Sequence, residues 1–182
     1  RHTRSIGSRG LGDVYKRQSI NNGEIGNPHI VKITSRDPSP PPVEYIKNSG
    51  GLFLDMTIHD FDMARFIVDK EIDEIYVKGE ALIDQEIQKV GDIDTAVVLM
   101  KYVDSTIAVI DNSRKSAYGY DQRIEVFGSK GMIQANNVKV DNSKLYNQNG
   151  IISSLPMDFF LERYMEAYKI EIQDFVDSVI NN

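Results

Sequence analysis

Two hydrophobic periods follow one another along this chain. A helical period of about 3.6 residues covers the segment that contains Asp55 and His59 and ends near Val68. The pattern then shifts toward a period of two, which predicts strands. A second helical pattern, from Asp158 to Ile180, carries one apolar stripe of the kind that packs on a sheet. The predicted strands are His29 to Ser35, Glu74 to Leu82, Thr95 to Val103, Thr106 to Asn112, Gln122 to Phe127 and Met132 to Ala135, with Val138 to Val140 and Lys144 to Tyr146 as short final strands.

The order of these elements predicts an α+β fold. A strand, a helix, a run of antiparallel strands and a final helix would form a largely antiparallel open sheet with helices on one face. Gly128 to Gly131 would form a hairpin turn, and Arg36 to Pro42 would form a stiff, proline-rich loop. Apolar residues on the other face of the sheet would make that face a subunit interface, so we expect a homo-oligomer.

Composition narrows the class of protein. The 182 residues are 41% hydrophobic and 26% charged, which is ordinary for a globular domain. No apolar run reaches the length of about 18 residues that a membrane span needs. The net charge of −6 argues against nucleic acid or an anionic membrane surface as a partner. The absence of cysteine excludes thiolate metal sites and fits a reducing compartment, so we expect a cytoplasmic protein.

The first 18 residues differ from the rest of the chain. They lack helix and strand periodicity, and they lack the apolar core of a signal peptide. They closely resemble the translated read-through of a sequencing adapter, and a genuine basic arm is the alternative. The chain also stops two residues after the closing helical pattern. We therefore expect residues 1–18 to be an artefact and residues 19–182 to be a domain truncated at both ends.

The strongest candidate for chemistry is the pair Asp55 and His59. Residues four apart on a helix share one face, so the two side chains would form a single polar site, which Asp62 would extend. Ionisable groups in such an apolar segment are costly unless they are paired. The residues alone leave four interpretations open: a metal site, a hydrolytic dyad, proton transfer coupled to hydride transfer, and a buried structural pair. A metal is disfavoured because no second histidine or cysteine cluster completes a ligand set, so we expect none.

Two tyrosines near a strand end form a second candidate cluster. Tyr118 and Tyr120 flank a glycine, and their hydroxyls could donate to and accept from a polyol, although edge packing is the commoner role. Tyr168 lies in the apolar stripe of the last helix and would be a core residue unless its hydroxyl reaches the same pocket. Asp37 follows a strand, but spacing alone would leave it as a solvated loop residue.

Four stretches of the chain resemble the second domain of the glucose–fructose oxidoreductase, inositol dehydrogenase and rhizopine catabolism (Gfo/Idh/MocA) family of NAD(P)-dependent enzymes. Together they span nearly all of residues 19–182. Within the family, their combination is most similar to the bacterial inositol 2-dehydrogenases. The stretches are Gly26 to Pro38, Gly50 to Asp62, Tyr118 to Asp121 and Glu162 to Phe175.

The resemblance implies a role for each matching position. His59 corresponds to the family's catalytic base in alcohol oxidation, and Asp55 to the carboxylate that orients the substrate hydroxyl and partners a catalytic lysine. Four further positions correspond to residues near the cyclitol: Asp37, Tyr118, Tyr120 and Tyr168. The implied activity is oxidation of a ring hydroxyl of myo-inositol, or a related polyol, by hydride transfer to NAD.

The chain also departs from the family pattern. It contains neither the Gly-x-Gly-x-x-Gly turn of the dinucleotide-binding domain nor the Glu-Lys-Pro segment that supplies the lysine. Residues 19–182 would then be the C-terminal substrate-binding and oligomerisation domain, with NAD, or alternatively NADP, bound mainly by a missing N-terminal domain. We expect this chain alone to be inactive. The alternatives are another sugar or polyol dehydrogenase of the family, a non-catalytic dimerisation or ligand-binding domain, and, least favoured, an NAD-dependent glycosidase.

Overall fold

The computed structural model describes residues 17–158 and 160–180. Most of the segment expected to be an artefact lies outside these ranges, and that expectation stays a prediction. The helices are α1 (Val43–Ser49), α2 (Ile58–Val68), α3 (Gln85–Lys89) and α4 (Phe160–Ile180), and a π-helical turn (Phe53–Thr57) leads into α2. The strands are β1 (Pro28–Arg36), β2 (Ile72–Glu80), β3 (Thr95–Tyr102), β4 (Ile107–Ser113), β5 (Asp121–Gly128), β6 (Met132–Ala135), β7 (Lys144–Asn147) and β8 (Gly150–Ser153).

Six of the strands form one sheet in the order β2-β3-β4-β1-β5-β6. The central pair, β1 and β4, is parallel, and the other neighbouring strands are antiparallel. The prediction of an α+β fold with a largely antiparallel sheet is therefore confirmed. The parallel pair brings the carboxyl ends of β1 and β4 to the same edge of the sheet, which places the residues that follow them, Asp37 and Arg114, side by side.

The core lies between the sheet and α2. Alternate residues of the central strands point inward and are buried, as Val31 and Ile33 show on β1. From α2, Met63, Ala64 and Ile67 pack on this inner face. The sheet and the helix thus bury their apolar sides against each other, as the two hydrophobic periods predict.

Several local predictions differ from the structure. Helix α1 was not predicted, because Val43–Ser49 offers too short a pattern to separate from the proline-rich loop before it. The prediction of a strand over Val138 to Val140 is wrong: this segment makes only an isolated bridge, from Lys139 to Pro156. Strand β8 was missed, and it pairs with β7 in a separate exposed hairpin.

The expected packing of α4 on the sheet is also wrong for this chain. Because α2 already fills the inner face, the stripe on α4 stays outside the core. The exposed members of that stripe are Leu161, Met165, Ile172, Phe175 and Val179. Instead, α4 is attached near its start by Arg163, whose guanidinium donates to the Gln122 carbonyl oxygen at 2.6 Å and to Asn137 Oδ1 at 2.9 Å.

The outer face of the sheet is uncovered and partly apolar. The strand register aligns Leu99 with Val109, and Ile30 with both Ile107 and Phe127, on this side. Leu99 and Phe127 are 44% and 46% exposed.

Among the described residues, no helix is both long and apolar enough to cross a membrane.

The hairpin between β5 and β6 gives a direct test of packing. A Cβ atom added to Gly128 would lie 2.4 Å from the Ile25 carbonyl oxygen, whereas one added to Gly131 would meet nothing closer than 3.9 Å. We expect Gly128→Ala to destabilise the protein by about 1–3 kcal/mol, since backbone must shift to admit the methyl group. Chemical denaturation measures the change, with Gly131→Ala as the control. Equal effects of the two variants would contradict this account.

Candidate functional site

An open cavity of about 930 Å³ lies at the edge of the sheet where β1 and β4 end. One wall is the proline-rich segment 38–42, which continues into α1. The π-helical turn, the first half of α2 and the start of α4 also contribute lining residues. This volume is in the range typical of small-molecule sites. Of the six side chains predicted for the site, five line it: Asp37, Asp55, His59, Tyr120 and Tyr168.

Asp55 is held from two sides. Its Oδ1 accepts a hydrogen bond from the Tyr45 hydroxyl at 2.7 Å, and its Oδ2 accepts one from Arg114 Nη1 at 2.9 Å. The Arg114 side chain is only 1% exposed, and its Nη2 lies 3.8 Å from Asp92 Oδ2. The guanidinium therefore sits between two carboxylates, which fixes the direction in which Asp55 faces the cavity.

His59 lies in the first turn of α2, with its imidazole exposed at the cavity. Among the described residues no hydrogen bond joins it to Asp55, whose two oxygens accept from Tyr45 and Arg114. The expected polar pair is thus two side chains that share a cavity. This arrangement leaves the imidazole available to a ligand.

Asp62 is exposed and does not line the cavity, so the prediction that it extends the polar stripe is wrong. At about 3.6 residues per turn, the cavity side of α2 passes through His59, Asp60 and Met63, and Asp62 falls on the other flank of the helix. Asp60 takes its place and is only 1% exposed. Burial raises the pKa of the Asp60 carboxyl to about 6, and hydrogen bonds from Asn112, Gln122 and Ser35 oppose the shift.

Asp37 follows β1 directly, and its backbone N–H donates to the Ser113 carbonyl oxygen on β4 at 3.0 Å. Burial raises the pKa of the Asp37 carboxyl to about 6; Arg114 opposes this shift and Asp55 adds to it. Burial likewise raises the pKa of Tyr120 above its ordinary value, so its hydroxyl stays protonated. The cavity therefore offers carboxylates and hydroxyls together, a donor and acceptor set suited to a polyol.

Tyr118 lies outside the cavity, contrary to the expectation that it faces the ligand. Its hydroxyl donates to Asp121 Oδ2 at 2.6 Å and accepts from Arg36 Nη1 at 3.0 Å, on the outer side of the sheet. Gly119 between the two tyrosines has φ of +105°, a conformation that turns the chain between them. The two tyrosines, which are two positions apart in the sequence, therefore lie on opposite sides of the sheet.

Four residues of the site were missed in the sequence: Tyr45, Asp60, Arg114 and Gln122. A signal was present for two of them. Gln122 alternates with Ile124 and Val126, which places its polar side chain on the core-facing side of a strand. Arg114 follows the buried strand β4, where a charged side chain is expected to have a partner. Tyr45 and Asp60 carry no such signal, because their roles depend on helix positions that only the fold defines.

The described residues contain no group of three or more carboxylate, imidazole or thiolate side chains that could hold a metal ion. The side chains of His59, Tyr120 and the carboxyl groups around them can form hydrogen bonds with a ligand, and imidazole and carboxyl groups are also able to transfer protons.

Comparisons with known proteins identify the family of this domain. The GFO/IDH/MocA C-terminal domain matches residues 15–134. The chain is 53% identical over 163 residues to the myo-inositol 2-dehydrogenase of Thermotoga maritima, a match that covers 90% of this chain and 49% of that protein. It is 47% identical over 163 residues to the inositol 2-dehydrogenase of Rhizobium meliloti, again covering 90% of this chain and 49% of that protein.

The fold matches solved structures equally well. Scyllo-inositol dehydrogenase from Lactobacillus casei, with bound NAD(H) and scyllo-inositol, superimposes with a TM-score of 0.86 at 32% identity. That match covers 98% of this chain and 54% of the other. The chain spans about half the length of the relatives it matches. On the matched domain, the level of identity and the shared fold, the chain belongs to the Gfo/Idh/MocA family, as a C-terminal domain.

Proposed function

We propose that this chain is the substrate-binding half of a larger NAD-dependent cyclitol dehydrogenase. The observation that carries the proposal is a single cavity that brings together His59, Asp55, Asp37 and Tyr120 at the end of the parallel strand pair. Relatives at 53% and 47% identity are inositol dehydrogenases, which supports a polyol as the substrate.

In the proposed reaction His59 is the general base. A ring hydroxyl of the cyclitol loses its proton to the imidazole as the hydride on the same carbon departs, and the carbon–oxygen single bond becomes a carbonyl. Histidine is suited to this task because it titrates near neutrality. Asp55, oriented by its hydrogen bonds from Tyr45 and Arg114, would face the reacting hydroxyl and hold it in place.

The hydroxyl and carboxyl groups of the cavity fit a polyol, but the cavity does not fit the pyrophosphate of a dinucleotide. Arg114 and Arg163 are the cations among the described lining residues, and both are engaged, by Asp55 and by the Gln122 carbonyl oxygen and Asn137. An anionic pyrophosphate would instead meet Asp37, Asp55 and Asp60. NAD supplies the hydride acceptor when bound, and most of it would be held by residues outside this chain.

The full-length protein that contains this chain tests the proposal. With NAD it should oxidise myo-inositol or scyllo-inositol, followed as NADH absorbance, whereas residues 19–182 alone should give no steady NADH formation. Parallel assays with NADP, glucose and a glycoside separate the alternatives. A preference for glucose would indicate a sugar dehydrogenase rather than a cyclitol dehydrogenase, and glycoside cleavage would indicate a glycosidase. The absence of turnover with every substrate would overturn the proposal.

We also propose that the outer face of the sheet joins two copies of the protein. Its exposed apolar residues include Leu99, Ile107 and Phe127, each more than 40% exposed, in two neighbouring rows of the strand register that also contain Lys32 and Lys101. Exposed apolar surface rimmed by polar residues marks interaction sites in soluble proteins. A second copy of the same face would cover it by two-fold symmetry.

Substitution of Leu99 tests this interface. We expect Leu99→Arg to shift the full-length protein to a smaller oligomer, since it buries an unpaired charge at the centre of the contact. Light scattering coupled to size-exclusion chromatography measures the mass. Leu145→Arg on the exposed β7 strand is the matched control and should leave the mass unchanged. An unchanged mass for Leu99→Arg would exclude this face.

A further inference from the structure

A row of three polar side chains crosses the inner face of the sheet beside the cavity. Ser35 on β1 is aligned with Asn112 on the parallel strand β4 and with Gln122 on the antiparallel strand β5. The next row toward the core is entirely apolar and consists of Ile110, Ile33 and Ile124. The polar row is therefore confined to the end of the sheet where the cavity opens.

One carboxylate accepts hydrogen bonds from all three side chains. Asp60, on the facing side of α2, accepts from Asn112 Nδ2 at 2.7 Å through Oδ2 and from Gln122 Nε2 at 3.2 Å through Oδ1. Ser35 contributes a further hydrogen bond. A buried carboxylate costs free energy unless its oxygens are satisfied, and here the donors come from three adjacent strands.

This arrangement determines which way the Gln122 amide points. An ionised carboxylate can only accept hydrogen bonds, so the amide nitrogen of Gln122 must face Asp60. Gln122 lines the cavity, and its amide oxygen then points away from Asp60 and accepts a hydrogen bond from the Tyr120 hydroxyl at 3.4 Å, which leaves its second lone pair for a ligand. The same reasoning orients the Asn112 amide: its Nδ2 faces Asp60 and also donates to the Ser35 carbonyl oxygen at 3.5 Å, while its Oδ1 accepts from Thr57 Oγ1 at 2.6 Å.

We propose that Asp60 is a positioning residue that holds the Gln122 amide with its carbonyl oxygen toward the cavity, where it accepts a hydrogen bond from a hydroxyl of the bound polyol. The inference deepens the proposed function and rests on it. Asp60 itself touches no reacting atom. It acts through the orientation of the Gln122 amide, which determines whether this part of the cavity wall accepts or donates hydrogen bonds. With a pKa of about 6, Asp60 is ionised under the mildly alkaline conditions of a dehydrogenase assay and keeps its accepting character.

Exchanging the carboxylate and the amide between positions 60 and 122 in the full-length protein tests the inference. Asp60→Asn puts an amide nitrogen opposite the Gln122 nitrogen, which forces the Gln122 amide to turn and present a donor to the cavity. We expect the KM for the cyclitol to rise about 3- to 10-fold, the worth of one hydrogen bond, with kcat changed less than about 2-fold. The double variant Asp60→Asn with Gln122→Glu restores donor and acceptor complementarity and should return KM to within about 2-fold of the original.

Two further variants make the outcome decisive. Gln122→Met removes the cavity-facing oxygen but keeps a side chain of similar length, so it should raise KM to the same extent even if Asp60→Asn does not fold. Asp62→Asn, on the exposed flank of α2, is the matched control and should leave KM unchanged. If the original protein oxidises cyclitols and Gln122→Met or the exchange leaves KM unaffected, the positioning role is overturned while the proposed function stands. If the original protein neither binds nor oxidises a cyclitol, both are overturned.

Discussion

Replacing His59 with alanine should lower kcat/KM for cyclitol oxidation by about 10²- to 10⁴-fold in the full-length protein, the usual contribution of a general base. The imidazole lines the cavity, and no hydrogen bond to Asp55 restrains it among the described residues. Its loss therefore removes the proton acceptor without breaking an internal contact, so the thermal unfolding temperature should change little. Steady-state kinetics and thermal denaturation, measured on the same preparation, check both parts of the expectation.

His29→Ala is the matched control, because His29 is exposed at the start of β1 and contacts Phe127, away from the cavity. It should retain its original kcat/KM. Near-normal turnover of the His59 variant would exclude a base at this position. A large loss of stability with unchanged activity per folded molecule would instead indicate the structural role that the sequence leaves open.

Replacing Arg114 with methionine should destabilise the protein by about 3 kcal/mol. Removing one partner of a buried ion pair leaves an uncompensated charge, and losses of about 3–5 kcal/mol are typical. We expect the lower end of this range because the side chains of Asp55 and Asp92 are 17% and 15% exposed, so water can partly solvate the carboxylates left without a partner. Activity should fall as well, since Asp55 loses the contact that fixes its Oδ2.

Chemical denaturation measures the free energy of unfolding, and steady-state kinetics measures the activity. Lys115→Met changes the neighbouring, exposed cation and should alter neither quantity. Arg114→Lys is informative too, because lysine keeps the charge but cannot span Asp55 and Asp92 with a planar group, and it should recover only part of the stability. Full stability in Arg114→Met would show that Asp55 does not depend on this pair.

The fold followed largely from the sequence because its signals are local. Alternating apolar positions identified β1 to β6 to within a few residues, and the closing helix appeared where its period predicts it. The hydrophobic pattern could not show which of the two apolar helices packs on the inner face of the sheet. The stripe on α4 reads as sheet-facing, yet α2 occupies that surface, and a choice between two suitable helices depends on connectivity and volume rather than on period.

The candidate site was predictable in part for the same reason. His59 and Asp55 could be found because helical spacing puts them on one side, and Asp37 and Tyr120 could be found only through resemblance to a family. Tyr118 was misplaced because one glycine with positive φ reverses the direction of a side chain, a change that residue types do not reveal. Asp60 and Arg114 act through partners 52 and 59 residues away in sequence, and contacts of that range exist only in the folded chain.

The proline-rich wall has a consequence for how a ligand would be captured. Pro40, Pro41 and Pro42 stand at the cavity with φ fixed by their rings. A flexible segment would lose about 1–2 kcal/mol of conformational entropy for each residue that a ligand immobilises. The proline rings restrict these residues before any ligand binds, so ordering this segment around a ligand would cost less conformational entropy than ordering a flexible one.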